Sequence, residues 1–127
     1  MIAIGSDHGG FELKEAIKQY FESENLKYRD FGTCSTDPVD YSDIGLLVAQ
    51  AVAKGEADMG IIICGTGIGI SIAANKVPGI RAALCVNSFM ARMAKEHNNA
   101  NILALGARVI GEALALDIVK TFINTSF

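Results

Sequence analysis

The fold of this chain is decided by the stretch Ile61-Ile62-Ile63-Cys64-Gly65-Thr66-Gly67-Ile68-Gly69-Ile70-Ser71. Three consecutive β-branched residues are typical of a strand that is buried on both faces. The apolar run stops at a cysteine, and three glycines follow before a stretch compatible with a helix. Glycines allow a backbone to turn tightly and to approach a ligand with its amides pointing outward. The stretch therefore predicts a buried strand and a ligand-binding turn, with a thiol between them.

Length and composition predict one globular, cytoplasmic domain over residues 1–127. Half of the residues are hydrophobic and a fifth are charged, which argues against disorder. The formal net charge of -3 argues against nucleic acid or an anionic membrane as a partner. We find no secretory signal and no apolar run long enough to cross a bilayer. The three cysteines lack CxxC spacing, so we expect a reducing compartment rather than disulfides or structural zinc.

Apolar periodicity predicts five strands that alternate with five helices. The predicted strands are 1–5, 27–31, 59–64, 81–86 and 102–105, and the predicted helices are 10–23, 40–54, 68–75, 88–97 and 112–123. This alternation is typical of a parallel α/β sheet covered by helices on both faces. Right-handed crossovers make a three-layer, doubly wound fold the simplest arrangement, and we expect the flavodoxin-like strand order 2-1-3-4-5. The second strand is short and polar, which suits a sheet edge.

Two loops meet where such a sheet binds its ligands. In open parallel sheets, ligands bind beyond the carboxyl ends of the strands, near the point where the strand order reverses. The loops that reach this point are residues 6–10, after the first strand, and residues 64–69, after the third. We therefore expect the functional site between these two loops.

Cys64 is the first candidate for chemistry. A cysteine is often a small buried hydrophobe, but helix amides beside a strand end make a thiol a better base or nucleophile. We interpret Cys34, in a polar loop, and Cys85, inside a strand, as structural. The glycine turn matches neither GxGxxG nor GxxxxGK[ST]. It is either a turn without a ligand or an anion hole for a phosphate or a developing oxyanion.

Five further side chains are candidates for binding or catalysis. Asp7 and His8 follow the first strand and could hold sugar hydroxyls and a phosphate. His97 either complements the helix dipole as a C-cap or acts as a general acid–base group near neutral pH. Arg108 could reach a phosphate or form a surface salt bridge, and Tyr41 could line the same cleft. Two histidines from distant loops give no metal-ligand spacing, so we predict no metal site.

Together these residues resemble the type B ribose-5-phosphate isomerases, within the wider group of ribose/galactose isomerases. The resemblance is spread over nearly the whole chain, with its order and spacing kept. The segments that carry it are GSDHGGF at 5–11, DY at 40–41, ICGTGIGISIAANK at 63–76, GIRA at 79–82 and EHNNAN at 96–101.

The resemblance implies reversible isomerisation of ribose 5-phosphate and ribulose 5-phosphate through an enediolate, without a metal or an organic cofactor. It implies that Cys64 moves a proton between C2 and C1 and that His97 protonates the ring oxygen as the furanose opens. Thr66 would assist with its hydroxyl. Sugar hydroxyls or phosphate would be bound by Asp7, His8, Tyr41, Asn98 and Arg108, and the enediolate by the backbone of Gly65, Thr66, Gly67, Ile68 and Gly69.

The resemblance also implies a homodimer or homotetramer whose sites are completed across the interface, so that His97, Asn98 and Arg108 serve a neighbour. Members of the group continue with a Gly-Gly-Arg-His-like tail that carries arginines for the phosphate. This sequence stops at Phe127, so we expect either that it is truncated there or that phosphate binding is weaker or rearranged. Three alternatives stay open: the same chemistry on allose or galactose 6-phosphate, a non-catalytic sugar-phosphate-binding module, and a nucleotide binder. The loop cysteine favours ribose, and the missing nucleotide loops count against the last.

Overall fold

The computed structural model describes residues 1–127 as five strands that alternate with five helices. The strands are β1 (Ile2–Ser6), β2 (Tyr28–Asp30), β3 (Met59–Cys64), β4 (Ala82–Leu84) and β5 (Ile102–Gly106). The helices are α1 (Phe11–Ser23), α2 (Tyr41–Ala53), α3 (Ile68–Asn75), α4 (Ser88–Glu96) and α5 (Glu112–Asn124). A 3-10 turn over His8–Gly10 leads into α1. The predicted number and order of elements are confirmed. None of the helices has the length and apolar character needed to cross a membrane.

All five strands lie in one parallel sheet in the order β2-β1-β3-β5-β4. The predicted order 2-1-3-4-5 is therefore wrong at one side, because β5 lies beside β3 and β4 forms the edge. Every residue of β5 is buried, whereas all three residues of β4 are partly exposed. The longer, wholly apolar strand loses most contact with water inside the sheet, and the short strand is left at the edge. The edge position of β2 is confirmed.

The exchange of β4 and β5 also decides where α4 packs. The chain passes from β3 beyond β5 to β4 and then returns, so right-handed crossovers place α4 on the face opposite α3. In agreement, α2 packs against α3, and both α1 and α4 pack against α5. The side chains of β3 alternate between the two cores: Ile61 and Ile63 join the core beneath α1, α4 and α5, and Ile62 and Cys64 join the core beneath α2 and α3.

A buried ion cluster ties β2 to α1. Lys14 is fully buried, and its Nζ donates to Asp30 Oδ2 at 2.5 Å. Asp30 also accepts from Lys18 Nζ at 2.9 Å and from the Gly32 N–H at 2.8 Å. Burial favours a higher pKa for Asp30, but the hydrogen bonds from Lys14, Gly32 and Lys18 outweigh it and hold the pKa below its usual value. The Gly32 carbonyl accepts the Ser6 N–H at 2.7 Å, so the cluster fixes the loop after β2 against β1.

Replacing Asp30 with asparagine removes the closest counter-charge of a buried ammonium. We expect Asp30→Asn to lower the free energy of unfolding by about 3 kcal/mol at neutral pH, measured by urea denaturation. Because the native pKa of Asp30 lies below its unfolded value of about 3.9, its carboxylate stabilises the fold above that pH. This contribution is lost as the pH falls through the native pKa. Stability should therefore fall less steeply in acid for the variant than for the wild type.

The matched control is Glu56→Gln, which neutralises an exposed carboxylate that forms no salt bridge. It should change the free energy of unfolding by less than about 0.5 kcal/mol. Parallel acid profiles for Asp30→Asn and the wild type would contradict the assigned role of Asp30.

Candidate active site

Cys64 is the last residue of β3 and lies at the carboxyl edge of the sheet. The residue is only 4% exposed, and its Sγ accepts a hydrogen bond from the Gly67 N–H at 3.1 Å. In the turn that follows, the Thr66 Oγ1 accepts from the Ile68 N–H at 3.2 Å. The turn therefore holds its thiol and its hydroxyl with its own amides.

Other amides of the same turn have no acceptor within the chain. The N–H groups of Gly65, Thr66 and Gly69 donate neither to a backbone carbonyl nor to a side chain. Gly69 lies in the first turn of α3, where amides have no partner inside the helix and the helix dipole adds partial positive charge. Free amides in this arrangement can bind an anion or an oxyanion that develops during a reaction.

Close packing against β5 fixes the path of the turn. Gly67 has a φ of 80°, and a Cβ there would lie 2.5 Å from Leu84 Cδ1 and 2.9 Å from the carbonyl carbon of Leu105. A Cβ on Gly106 would lie 2.5 Å from the carbonyl oxygen of Thr66. The backbone of the turn thus rests directly on the backbone at the end of β5, with no space for a side chain between them.

A cavity of about 380 Å³ opens above this turn, within the size range of small-molecule sites. Asp7 is 8% exposed, and its Oδ1 accepts from the Gly10 N–H at 3.1 Å, while its Oδ2 has no partner in the chain. The Tyr41 ring covers Gly69 so closely that a Cβ there would lie 2.7 Å from it. The cavity is lined by Asp7, Tyr41, Cys64, Gly65, Thr66, Ile68 and Gly69.

His8 and Arg108 lie beside this cavity rather than in its lining. His8 Nδ1 accepts from the Val39 N–H at 3.2 Å, so the proton of the neutral imidazole is on Nε2. This bond ties the loop before α2 to the end of β1. The Arg108 N–H donates to the Gly65 carbonyl at 2.9 Å, and its side chain lies against Gly65. Its guanidinium forms no salt bridge, so the salt-bridge alternative for Arg108 is wrong.

His97 and Asn98 lie at the opposite edge of the sheet. His97 is the C-cap of α4, a helix that runs back from the carboxyl edge and leads into the start of β5. That start pairs with Gly60, at the amino end of β3, and the four residue steps from Gly60 to Cys64 span about 13 Å. Asn98 lines a separate apolar groove beside β4 and α4. One chain therefore gathers the other predicted residues around Cys64 but leaves His97 and Asn98 apart.

Two features of the site were not predicted. Gly106 supports Thr66, and Val39 orients His8. Glycine directly after an apolar strand often marks a close backbone approach, so Gly106 carried a usable signal. The Val39–His8 bond joins residues 31 positions apart, so no local sequence pattern could have predicted it. The His, Cys, Asp and Glu side chains form no group of three or more that could hold a metal ion.

Comparison with known proteins assigns the chain to a family. The sequence model described as Ribose/Galactose Isomerase matches residues 2–127. The chain belongs to this family. Ribose-5-phosphate isomerase B of Escherichia coli is 46% identical over 126 residues, 99% of this chain and 85% of that protein. The resemblance seen in the sequence is confirmed, and with it the predicted class of enzyme, a sugar-phosphate isomerase.

Solved structures of family members agree with the fold in detail. Ribose-5-phosphate isomerase B of Clostridium thermocellum is 62% identical and superposes with a TM-score of 0.98, covering 99% of this chain and 85% of that one. The enzyme of Mycoplasma genitalium, solved with bound ribulose-5-phosphate, is 40% identical with a TM-score of 0.95, covering 99% and 84%.

A methyl group on Gly106 should displace the turn that carries Cys64. We expect Gly106→Ala to lower sugar-phosphate isomerase turnover about 100-fold, because a shift near 1 Å in a reacting group has an effect of that order. The control is Gly111→Ala, since Gly111 has an ordinary φ of -82° and a Cβ there meets nothing within 4 Å. Near wild-type turnover in Gly106→Ala, with a native circular dichroism spectrum, would contradict the packing argument.

Proposed function

We propose that this chain interconverts ribose 5-phosphate and ribulose 5-phosphate through an enediolate, with Cys64 as the base. The observation that carries the proposal is a buried thiol beside three free amides on the floor of a cavity large enough for a sugar phosphate. The activities stated for the relatives from Escherichia coli and Mycoplasma genitalium support this substrate.

The proposed reaction moves one proton between two carbons. The Cys64 thiolate removes the proton from C2 of the open-chain aldose, C1 and C2 become doubly bonded, and O1 becomes an oxyanion. A proton then passes from O2 to O1, the carbonyl forms at C2, and Cys64 returns its proton to C1. The Gly67 amide stabilises negative charge on the sulfur. We propose that Thr66 carries the proton between the two oxygens through its hydroxyl.

Free donors around Cys64 suit the charge that develops in this reaction. The amides of Gly65, Thr66 and Gly69 would donate to the enediolate oxygens, where fixed donors stabilise the transition state without reorganisation. Gly67 and Ile68 keep the loop in shape, since their amides are used by the thiol and the Thr66 hydroxyl. Two amides of the turn thus hold its own side chains, and three remain free beside the thiol. This arrangement favours an enediolate over a nucleotide phosphate as the ligand of the turn.

The remaining residues of this edge suit the rest of the substrate. The free Oδ2 of Asp7 would accept from sugar hydroxyls, and the Tyr41 ring would cover the sugar. His8 would donate to the phosphate through Nε2, since Nδ1 is occupied by Val39. Arg108 would bind the phosphate as a guanidinium free of any internal carboxylate.

A second copy of the chain would complete the site. Ring opening needs an acid near the ring oxygen, yet His97 and Asn98 lie at the far edge from Cys64 in their own chain. Large apolar side chains are exposed along α3, α4 and the segment between β4 and α4: Ile68, Ile72, Val86, Phe89 and Met90. Pairing these surfaces would bury them and bring His97 and Asn98 of one subunit to the Cys64 cavity of the other. We therefore propose a homodimer as the smallest active unit.

Loss of the proposed base should stop the reaction with little effect on the fold. We expect Cys64→Ala to lower kcat for ribose 5-phosphate by about 1,000-fold, within the range for a general base. Cys34→Ala is the matched control, because Cys34 is exposed in the loop between β2 and α2 and does not line the cavity, and it should retain wild-type kcat. Wild-type turnover in Cys64→Ala would show that another group is the base.

Loss of the proposed ring-opening acid should spare the proton-transfer step. In D2O, open-chain ribulose 5-phosphate exchanges its C1 proton whenever the enediolate forms and reverts. We expect His97→Asn to lower conversion of ribose 5-phosphate about 100-fold. The variant should retain most of the C1-proton exchange, which is measured by NMR. Cys64→Ala should lose both activities. Equal losses of conversion and exchange in His97→Asn would contradict its assignment to ring opening.

Mixed dimers test whether the site is shared. Cys64→Ala and His97→Asn chains carrying different affinity tags are coexpressed, and the doubly tagged dimers are isolated. One site in each hybrid then has both native residues, so the hybrid should show about half of wild-type activity while each parent is inactive. A hybrid as inactive as its parents would contradict a site formed by two subunits.

A further inference from the structure

The two loops at the amino edge of the sheet are joined by a dense set of hydrogen bonds. Between them, the Arg81 N–H donates to Asn101 Oδ1 at 2.8 Å, and the Asn101 N–H donates to the Arg81 carbonyl at 3.0 Å. Asn101 Nδ2 donates to the Gly79 carbonyl at 3.0 Å. The segment before β4 and the segment before β5 therefore form one unit, which we call the Arg81 bracket (residues 79–81 and 99–101).

The Arg81 side chain closes this bracket on the turn after α4. Its Nε donates to the Asn99 carbonyl at 2.6 Å, and its Nη1 donates to the Gly79 carbonyl at 3.1 Å. Asn99 has a φ of 49°, a left-handed conformation that a non-glycine residue rarely adopts. The charged Arg81 side chain thus links a carbonyl of this turn to the Gly79 carbonyl before β4 and stabilises the turn in its left-handed conformation.

His97 and Asn98 depend on that turn for their positions. Neither side chain forms a hydrogen bond within the chain, and both residues are exposed. Their backbone is held on one side by the His97 N–H bond to the Met93 carbonyl at 2.9 Å, at the end of α4. On the other side it is held by the Ala100 N–H, which donates to the Ala94 carbonyl at 2.9 Å, and by the Arg81 Nε bond to the carbonyl of the next residue, Asn99. The Arg81 bond is the one side-chain hydrogen bond to this turn, so its loss would give His97 and Asn98 more freedom to move.

We propose that Arg81 is a positioning residue for isomerisation, which acts through the Asn99 carbonyl on His97 and Asn98. The proposal rests on the proposed ring-opening role of His97. Because His97 is assigned to the partner's cavity, Arg81 acts on the Cys64 site of the other subunit rather than on its own. Asn101 shares this role, since its side chain joins both segments of the bracket.

The first test separates positioning from a general effect on the fold. We expect Arg81→Met to lower conversion of ribose 5-phosphate by about 10- to 100-fold, the scale of a misplaced catalytic group. Exchange of the C1 proton of ribulose 5-phosphate in D2O should stay near wild type. Arg81→Lys keeps the charge but not the two-point geometry. Its rate of conversion of ribose 5-phosphate should lie between those of Arg81→Met and the wild type. The control Arg29→Met removes an exposed arginine that stacks on Phe31 in β2 and should match wild type in both assays.

A purely structural role for Arg81 predicts a different pattern. Conversion and exchange would then fall together, in step with a lower melting temperature, and that result would overturn the proposal. Should Arg81→Met fail to fold, Asn101→Asp replaces it. This variant retains the acceptor for the Arg81 N–H but loses the donor to Gly79, and the same split between conversion and exchange is expected.

The second test uses mixed dimers to ask which site Arg81 serves. Paired with Cys64→Ala, the Arg81→Met chain contributes its native Cys64 and receives a native His97, so activity should recover. Paired with His97→Asn, it should not recover. The reverse pattern would show that Arg81 serves the Cys64 site of its own chain and would overturn the proposal. The hybrid of Cys64→Ala and His97→Asn tests the shared site itself: if that hybrid stays inactive, the proposed dimer is wrong, and the conversion–exchange split still decides the role of Arg81.

Discussion

Burial of β3 on both faces is the constraint on which the rest of the structure depends. Ile61, Ile62 and Ile63 are inaccessible to water, and each such side chain contributes about 1.5–3 kcal/mol relative to an exposed one. Alternate residues belong to different cores, so the strand cannot shift by one position without moving each side chain to the wrong face. The rigid strand ends at Cys64, and the glycine turn rests on the backbone of β5. The donors of the turn are therefore held in place before any ligand arrives.

A parallel sheet imposes a second constraint, because within one chain it places Cys64 and His97 at opposite edges. Every strand ends at the carboxyl edge, where Cys64, Asp7 and Arg108 gather, and every helix that connects two strands ends at the opposite edge, where His97 lies. A loop of a few residues cannot cross that distance. In the proposed mechanism, the acid at the end of α4 therefore reaches the base at the end of β3 from another copy of the chain. The exposed apolar side chains of α3 and α4 give the proposed dimer a surface on which to form.

Polar side chains stabilise the positions where the sheet itself provides no partner. Lys14 and Asp30 fasten β2, the polar edge strand, to α1. At the other edge, the Asn75 side chain pairs with both backbone groups of Ala82, donating to its carbonyl at 3.0 Å and accepting its N–H at 2.8 Å. An edge strand covered in this way offers fewer free groups for unwanted pairing. The Arg81 bracket likewise joins the loops that precede β4 and β5 through side-chain hydrogen bonds to their backbone. Asn75, Arg81 and Asn101 thus bond backbone groups that have no strand beside them.

Local periodicity and glycines at strand ends were enough to predict the parallel α/β class, the number and approximate limits of the elements, and the loop that holds Cys64. The motifs around Cys64 and His97 also identified the family. The exchange of β4 and β5 was decided only by the tertiary structure, since strand pairing depends on which strand is buried best against distant neighbours, although the apolar run at 102–105 hinted at it. The His8–Val39 bond and the Arg81 bracket were likewise beyond local pattern, because each joins residues far apart in the chain. The tertiary structure also gave the physical reason why His97 lies apart from Cys64 in one chain: connecting helices in a parallel sheet must end where the strands begin.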